Sequence, residues 1–195
     1  MKKIAVDLDG VVFDSENLYR VYTEIFDADI KKADNVVDNT RRIFQQRYDW
    51  SREEFEDFYR LNSREILTES TFMPGAVLVL GKLKERFETV VLTSRSGSEA
   101  EIAKARMEKA GLGDIAFFCD QKDKTAMLLD LKADFIIDDD EQTCLDAAEN
   151  GITALFFKNN AAHRIDGKPK LVTVNNWGEI YKFLTLGTCG GKLNG

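Results

Sequence analysis

The chain has 195 residues, 27 basic and 34 acidic side chains, a formal net charge of −7, 44% hydrophobic residues and 31% charged ones. That apolar fraction is too high for a disordered chain, and the acidic balance argues against a protein that wraps a long nucleic acid, whose phosphates need Lys and Arg. The apolar run Ala76–Leu80 is far shorter than the roughly 20 residues of a membrane helix, and Asp7 and Asp9 interrupt the stretch where a signal peptide needs its apolar core.

The length suits one domain, or a core domain with an insertion. Lys3–Val6 reads as a buried strand ending in acid. Ser15–Trp50 is polar and helical in texture. Ser51 with Glu54 forms a capping box, and Phe55, Phe58, Tyr59, Ile66 and Leu67 follow largely on one helical face. Pro74-Gly75 breaks the chain before a helix carrying Ala76, Val79, Leu80, Leu83 and Phe87. The rhythm then changes to strands at Thr89–Thr93, Ile115–Phe118, Phe135–Ile137, Ile152–Phe157 and Leu171–Val174. Helices are expected between them, with Ser98 and Glu101 as a second capping box, and a last helix at Trp177–Leu184.

Such alternation predicts an α/β fold with a Rossmann-like parallel sheet flanked by helices. One helical insertion follows the first strand. The expected division is a core of 1–14 and 74–186, a small helical cap at 15–73, and a frayed tail at 187–195.

Ligands bind beyond the carboxyl ends of strands in open parallel sheets. Here those ends read Asp7-Leu8-Asp9-Gly10, Thr93-Ser94-Arg95 and Asp138-Asp139-Asp140. Taken singly, an Asp-x-Asp is most often a turn or cap, and a run of three Asp a solvated face or a helix start. On one edge of one sheet, the same carboxylates would repel each other, and a cation resolves the conflict. All-oxygen ligands point to a hard ion, magnesium before calcium. The only histidine is His163, read as a loop residue, and no Cys-x-x-Cys pair exists, which excludes the usual zinc site. Cys119, Cys144 and Cys189 read as free thiols of a reducing cytoplasm.

Asp7-Leu8-Asp9-Gly10-Val11-Val12 resembles the first signature of the haloacid dehalogenase (HAD) superfamily of phosphatases. Thr93 after Val90-Val91-Leu92 resembles its second, Lys124 its third, and Ile136-Ile137-Asp138-Asp139 its fourth, all in order. Asp123-Lys124-Thr125, Thr93-Ser94 and Asn176-Trp177-Gly178-Glu179-Ile180 further resemble the 5′(3′)-deoxyribonucleotidase group. The resemblance implies a magnesium-dependent phosphomonoester hydrolase working through an aspartyl-phosphate, with a small phosphorylated substrate, a nucleotide first. Alternatives are a phosphatase of sugar or other metabolite phosphates, and a non-catalytic module that binds a phosphate ligand.

By the same resemblance Asp7 is the nucleophile and Asp9 the general acid. Thr93, Ser94 and Lys124 bind phosphate. Asp7, the backbone carbonyl of Asp9, Asp138 and Asp139 form the metal shell, with Asp139 the favoured direct ligand. Asp140 and Glu141 are expected to cap a helix, Arg95 to face substrate or solvent, and Trp177 to pack. Aromatic and basic residues of the insertion, among them Tyr19, Arg42, Arg47 and Trp50, are expected to pack or solvate a helical bundle. The resemblance carries neither the oligomeric state nor the identity of the substrate.

Overall fold

The computed structural model describes residues 1–41, 44–95, 97–158, 164–165 and 167–187; Arg42, His163, Cys189 and the tail beyond Gly187 lie outside them. Chain contacts divide it into two units: Met1–Phe13 together with the described residues from Phe72 onward, and Asp14–Thr71.

The first unit is built on six strands, β1 (Lys3–Val6), β2 (Glu88–Leu92), β3 (Ala116–Phe118), β4 (Phe135–Asp138), β5 (Thr153–Phe157) and β6 (Leu171–Val174). They form one sheet in the order β3-β2-β1-β4-β5-β6, and every neighbouring pair is parallel. β1 therefore lies in the middle. The chain fills one side of it with β2 and β3, then crosses over to lay down β4, β5 and β6. This reversal is a topological switch point, where the crevice between strand ends opens.

Two apolar layers cover the sheet, as buried parallel strands require. Ile4, Val6, Val91, Ile137, Leu155 and Phe157 pack against helices α3 (Ala76–Leu83), α4 (Gly97–Lys109) and α7 (Trp177–Leu186). Ala5, Val90, Leu92, Ile136, Ala154 and Phe156 pack against α5 (Lys124–Asp130) and α6 (Glu141–Glu149). The alternation of faces along each strand is the period of two that an extended chain imposes. The expected boundaries shift by a residue or two, except that α3 ends at Leu83 and leaves Phe87 beyond it. Ser98 lies inside the first turn of α4, whose helix already runs from Gly97, so it does not open a capping box there.

The second unit holds α1 (Ser15–Phe26) and α2 (Arg52–Glu69). The Ser51 box is formed: Ser51 Oγ accepts from Glu54 N at 3.3 Å, and Ser51 N donates to Glu54 Oε2 at 2.6 Å. The expectation of helix throughout Ser15–Trp50 is corrected. After α1 comes a short π-helix at Asp27–Lys31, and Lys32 adopts the left-handed conformation that ends it. The chain then doubles back, with Val37 N donating to Arg47 O at 2.8 Å and Asp49 N to Asn35 O at 3.0 Å.

Buried Asp27 fixes this return. Its carboxylate accepts from Asn35 N, Asn35 Nδ2 and Trp50 Nε1, each at 2.7 Å. Burial pushes its pKa up, but these bonds outweigh it and the net shift is down. Hydrogen bonds to one buried acid thus replace helical ones. Phe26, Phe44, Tyr48, Trp50, Phe58 and Ile66 fill the small core beside it. Tyr48 and Trp50 stack with ring centroids 4.4 Å apart, and Tyr19 and Phe44 with centroids 5.3 Å apart. Packing accounts for these aromatics.

Candidate active site

The candidate site is assembled within the first unit, at the carboxyl edge of the three middle strands. Asp7 follows β1, and its N–H extends the ladder by donating to Ile137 O at 2.9 Å. Alternation puts Asp7 on the side of Ala5, and Asp138 on the side of Ile136. Both belong to the face covered by α5. The first residue of α5 is Lys124, set by the N-cap Asp123, whose carboxylate accepts from Ala126 N at 3.1 Å. Lys124 Nζ consequently lies 3.0 Å from Asp7 Oδ1 and 2.7 Å from Asp138 Oδ2.

Asp138 is fully buried, and its other oxygen accepts from Asp140 N at 2.9 Å. Asp140 caps α6, accepting from Thr143 N at 2.8 Å, while Glu141 is the first helical residue rather than a cap. Carboxylate oxygens of Asp7, Asp138 and Asp139, all buried, lie within 4.8 Å of one another. Burial raises the pKa of Asp7 from 3.8 to about 7; Lys124 pulls it down, and Asp138 and Asp9 add to the rise. Burial works against the charge of Lys124, but Asp7 and Asp138 more than reverse that, and its pKa is raised.

The donor set fits a hard divalent cation. It is all oxygen and it is buried, and Lys124 meets two of its three carboxylates. The turn after β1 is shaped for it. Val12 N and Phe13 N both donate to Leu8 O at 2.8 Å, and Gly10 has φ +74°. A Cβ on Gly10 would fall 2.1 Å from Asp139 Oδ2, so only glycine lets the turn lie against that carboxylate. Trp177, buried in packing as expected, also donates its Nε1–H to Val11 O at 2.9 Å and props the same turn.

Thr93 is buried just past β2, its Oγ1 accepting from Arg95 N at 3.2 Å, whereas Ser94 beside it is exposed. Asp9 stands apart from the carboxylate cluster, and Arg95 holds it: Nε donates to Oδ2 at 2.8 Å and Nη2 to Oδ1 at 2.6 Å. Arg95 is only 4% exposed. The expectation of a solvent-facing side chain is corrected, because a fork–fork pair with Asp9 takes it inside. Sequence reasoning missed this partner of Asp9. The available signal was a guanidinium two residues beyond Thr93, on the loop of the neighbouring strand. Cys144 is buried, donates weakly to Asp138 O at 3.5 Å, and has its pKa raised by burial and the nearby aspartates, so it is no nucleophile.

This sheet order, with an insertion after the first strand, matches the fold of haloacid dehalogenase-like hydrolases. The chain is similar to a haloacid dehalogenase-like family hydrolase from Streptococcus pneumoniae, at 16% identity and a TM-score of 0.71, over 94% of this chain and 98% of that one. It is also similar to a protein provisionally assigned as a β-phosphoglucomutase from Thermotoga maritima, at 19% identity and TM-score 0.62, over 95% and 99% of the two chains. A third likeness, at 12% identity and TM-score 0.60 over 95% and 99%, is to a provisionally assigned HAD hydrolase from Bacillus subtilis bound to magnesium. No protein-family model matches the chain, and no curated protein does. At these identities the likeness establishes the fold. Among the described residues no helix is long and apolar enough to cross a membrane.

Proposed function

We propose that the protein is a magnesium-dependent phosphomonoester hydrolase working through an aspartyl-phosphate. The observation that carries this reading is Lys124 bridging Asp7 and Asp138 at 3.0 and 2.7 Å, with Asp9 two residues past Asp7. In the first step an Asp7 oxygen attacks phosphorus, the bond to the leaving oxygen breaks, and Asp9 gives that oxygen its proton. In the second step water attacks phosphorus, the Asp7–phosphorus bond breaks, Asp9 takes the proton of the water, and inorganic phosphate leaves.

Thr93 and Ser94 donate to phosphate oxygens, and Lys124 offsets charge on the transferring group. Asp7, Asp139 and the backbone carbonyl of Asp9 would hold magnesium. Asp138, whose two oxygens already serve Lys124 and Asp140 N, fixes the lysine and would complete the shell indirectly. Bound there, the ion removes the repulsion between Asp7 and the incoming phosphate.

The substrate we infer is a small phosphorylated metabolite. The nucleotide reading rests on sequence resemblance, and part of that resemblance has a structural explanation. Asn176 caps α7 by accepting from Glu179 N at 2.9 Å, Glu179 accepts from Asn175 N at 2.8 Å, and Trp177 props the turn after β1. These duties suit any substrate. A sugar phosphate is the second reading, supported by the likeness to the Thermotoga protein. The insertion at 15–73 is proposed as the cap that sets this choice. The free thiols of Cys119 and Cys144 favour a cytoplasmic setting.

Phosphate release from nucleoside 5′- and 3′-monophosphates, sugar phosphates and p-nitrophenyl phosphate tests the reading, with magnesium, with EDTA, and with Asp7→Asn. Turnover should vanish in EDTA and in the variant. Activity of Asp7→Asn equal to that of the parent would rule out the mechanism. A folded protein that binds magnesium but turns over nothing favours the binding module.

A further inference from the structure

We propose that Arg95 is a positioning residue for Asp9, fixing where its carboxylate points during proton transfer. The proposal rests on the reading of Asp9 as the group that protonates the leaving oxygen. Asp9 sits on a tight turn with its side chain 36% exposed, whereas the side chain of Arg95 is only 3% exposed. A partly exposed carboxylate on its own would sample several rotamers. Here both of its oxygens are held, at 2.8 and 2.6 Å, by one planar guanidinium.

The holder is itself held. Arg95 N donates to Thr93 Oγ1 at 3.2 Å, Arg95 O accepts from Asp120 N at 2.9 Å, and the guanidinium lies 5.4 Å from the Phe13 ring centroid. One short segment, Thr93 to Arg95, therefore carries both the hydroxyl assigned to phosphate and the fork that aims the acid. Lysine keeps the charge of arginine but offers no fork. A displacement of about 1 Å in a reacting group costs on the order of a hundredfold.

A purely structural ion pair would not care which ester is being cleaved, whereas an aimed proton donor matters most where the leaving oxygen is a strong base. The test is kcat/KM for the parent, Arg95→Ala, Arg95→Lys, Asp9→Asn and Asp9→Asn/Arg95→Ala, with magnesium. The esters are 2,4-dinitrophenyl, p-nitrophenyl, phenyl and ethyl phosphate. Near-ultraviolet circular dichroism checks each fold, with Arg95→Gln in reserve if the alanine variant does not fold.

Both Arg95 variants are expected to lose about tenfold or more in excess on ethyl phosphate relative to the dinitrophenyl ester. Asp9→Asn should show the same slope, the double variant should be no steeper than Asp9→Asn, and added guanidinium ion should restore part of the loss in Arg95→Ala. A flat loss across the series in the Arg95 variants, with Asp9→Asn steep, would overturn the positioning role and leave the acid assignment standing. A flat series for Asp9→Asn overturns that assignment and the proposal with it.

Discussion

Gly10 and Asp139 are packed so closely that no side chain fits between them: a Cβ at position 10 would lie 2.1 Å from Asp139 Oδ2. The glycine belongs to the turn after β1 and the aspartate to the end of β4, so their approach locks the two strand ends together.

Gly10→Ala should therefore act twice. Its φ of +74° strains any Cβ, and the clash pushes Asp139 out of the carboxylate cluster. We expect about 1–3 kcal/mol of destabilisation. We also expect a loss of magnesium affinity larger than that from Gly111→Ala, a second positive-φ glycine with nothing within 4 Å of its added Cβ. Urea melts and magnesium titrations of the two variants check this.

The raised pKa of Asp7 makes the metal-free protein sensitive to pH. Its folded value of about 7 exceeds the ordinary 3.8, so the native state favours the protonated acid. That contribution is full below about pH 4 and is lost as pH climbs toward 7. In EDTA, the Tm of Asp7→Asn should gain on that of the parent across this window. Magnesium at pH 7.5 should raise the parent's Tm more than the variant's. A constant difference between the two curves would contradict the assignment.

Removing Lys124 strands two buried carboxylates. Lys124→Met should cost about 3–5 kcal/mol in EDTA, and about a hundredfold or more in phosphate release with magnesium present. Adding Asp138→Asn should recover part of the stability and none of the activity. Denaturant melts and steady-state rates separate the two effects.

In the second unit, Asp27→Ala should cost about 2–3 kcal/mol, because three bonds to a charged acceptor disappear and the Trp50 indole N–H loses its partner. The folded pKa of Asp27 is lowered, so its contribution is present above the ordinary carboxylate pKa and is lost as pH falls through the folded value. Fluorescence of Trp50 in a Trp177→Phe background should shift in acid for the parent and be insensitive there for the variant.

The core was legible because its signals are local. Each buried strand is an apolar run with its polar residue directly beside its end, so the sequence alone puts Asp7, Thr93 and Asp138 on one edge. Lys124 was legible only through resemblance, although strand alternation and the position of α5 explain why it meets both aspartates. The stretch from Lys32 to Trp50, helical only at Phe44–Gln46, departs from continuous helix because much of its order comes from one buried acid with partners at positions 35 and 50. Helical texture reports local preference, and these bonds span a larger separation. Arg95 was missed for the same reason: its partner lies 86 positions earlier in the chain.

The middle position of β1 in the sheet also sets when the cation cluster can exist. β1 is made first, yet its neighbour β4 begins at Phe135, after β2 and β3 have taken the other side. Before β4 is in place Asp7 has neither Asp138 nor Asp139 beside it, so a chain stopped short of residue 139 lacks part of the proposed ion site. Binding of the proposed cation would then read out whether the early and late halves of the sheet have met.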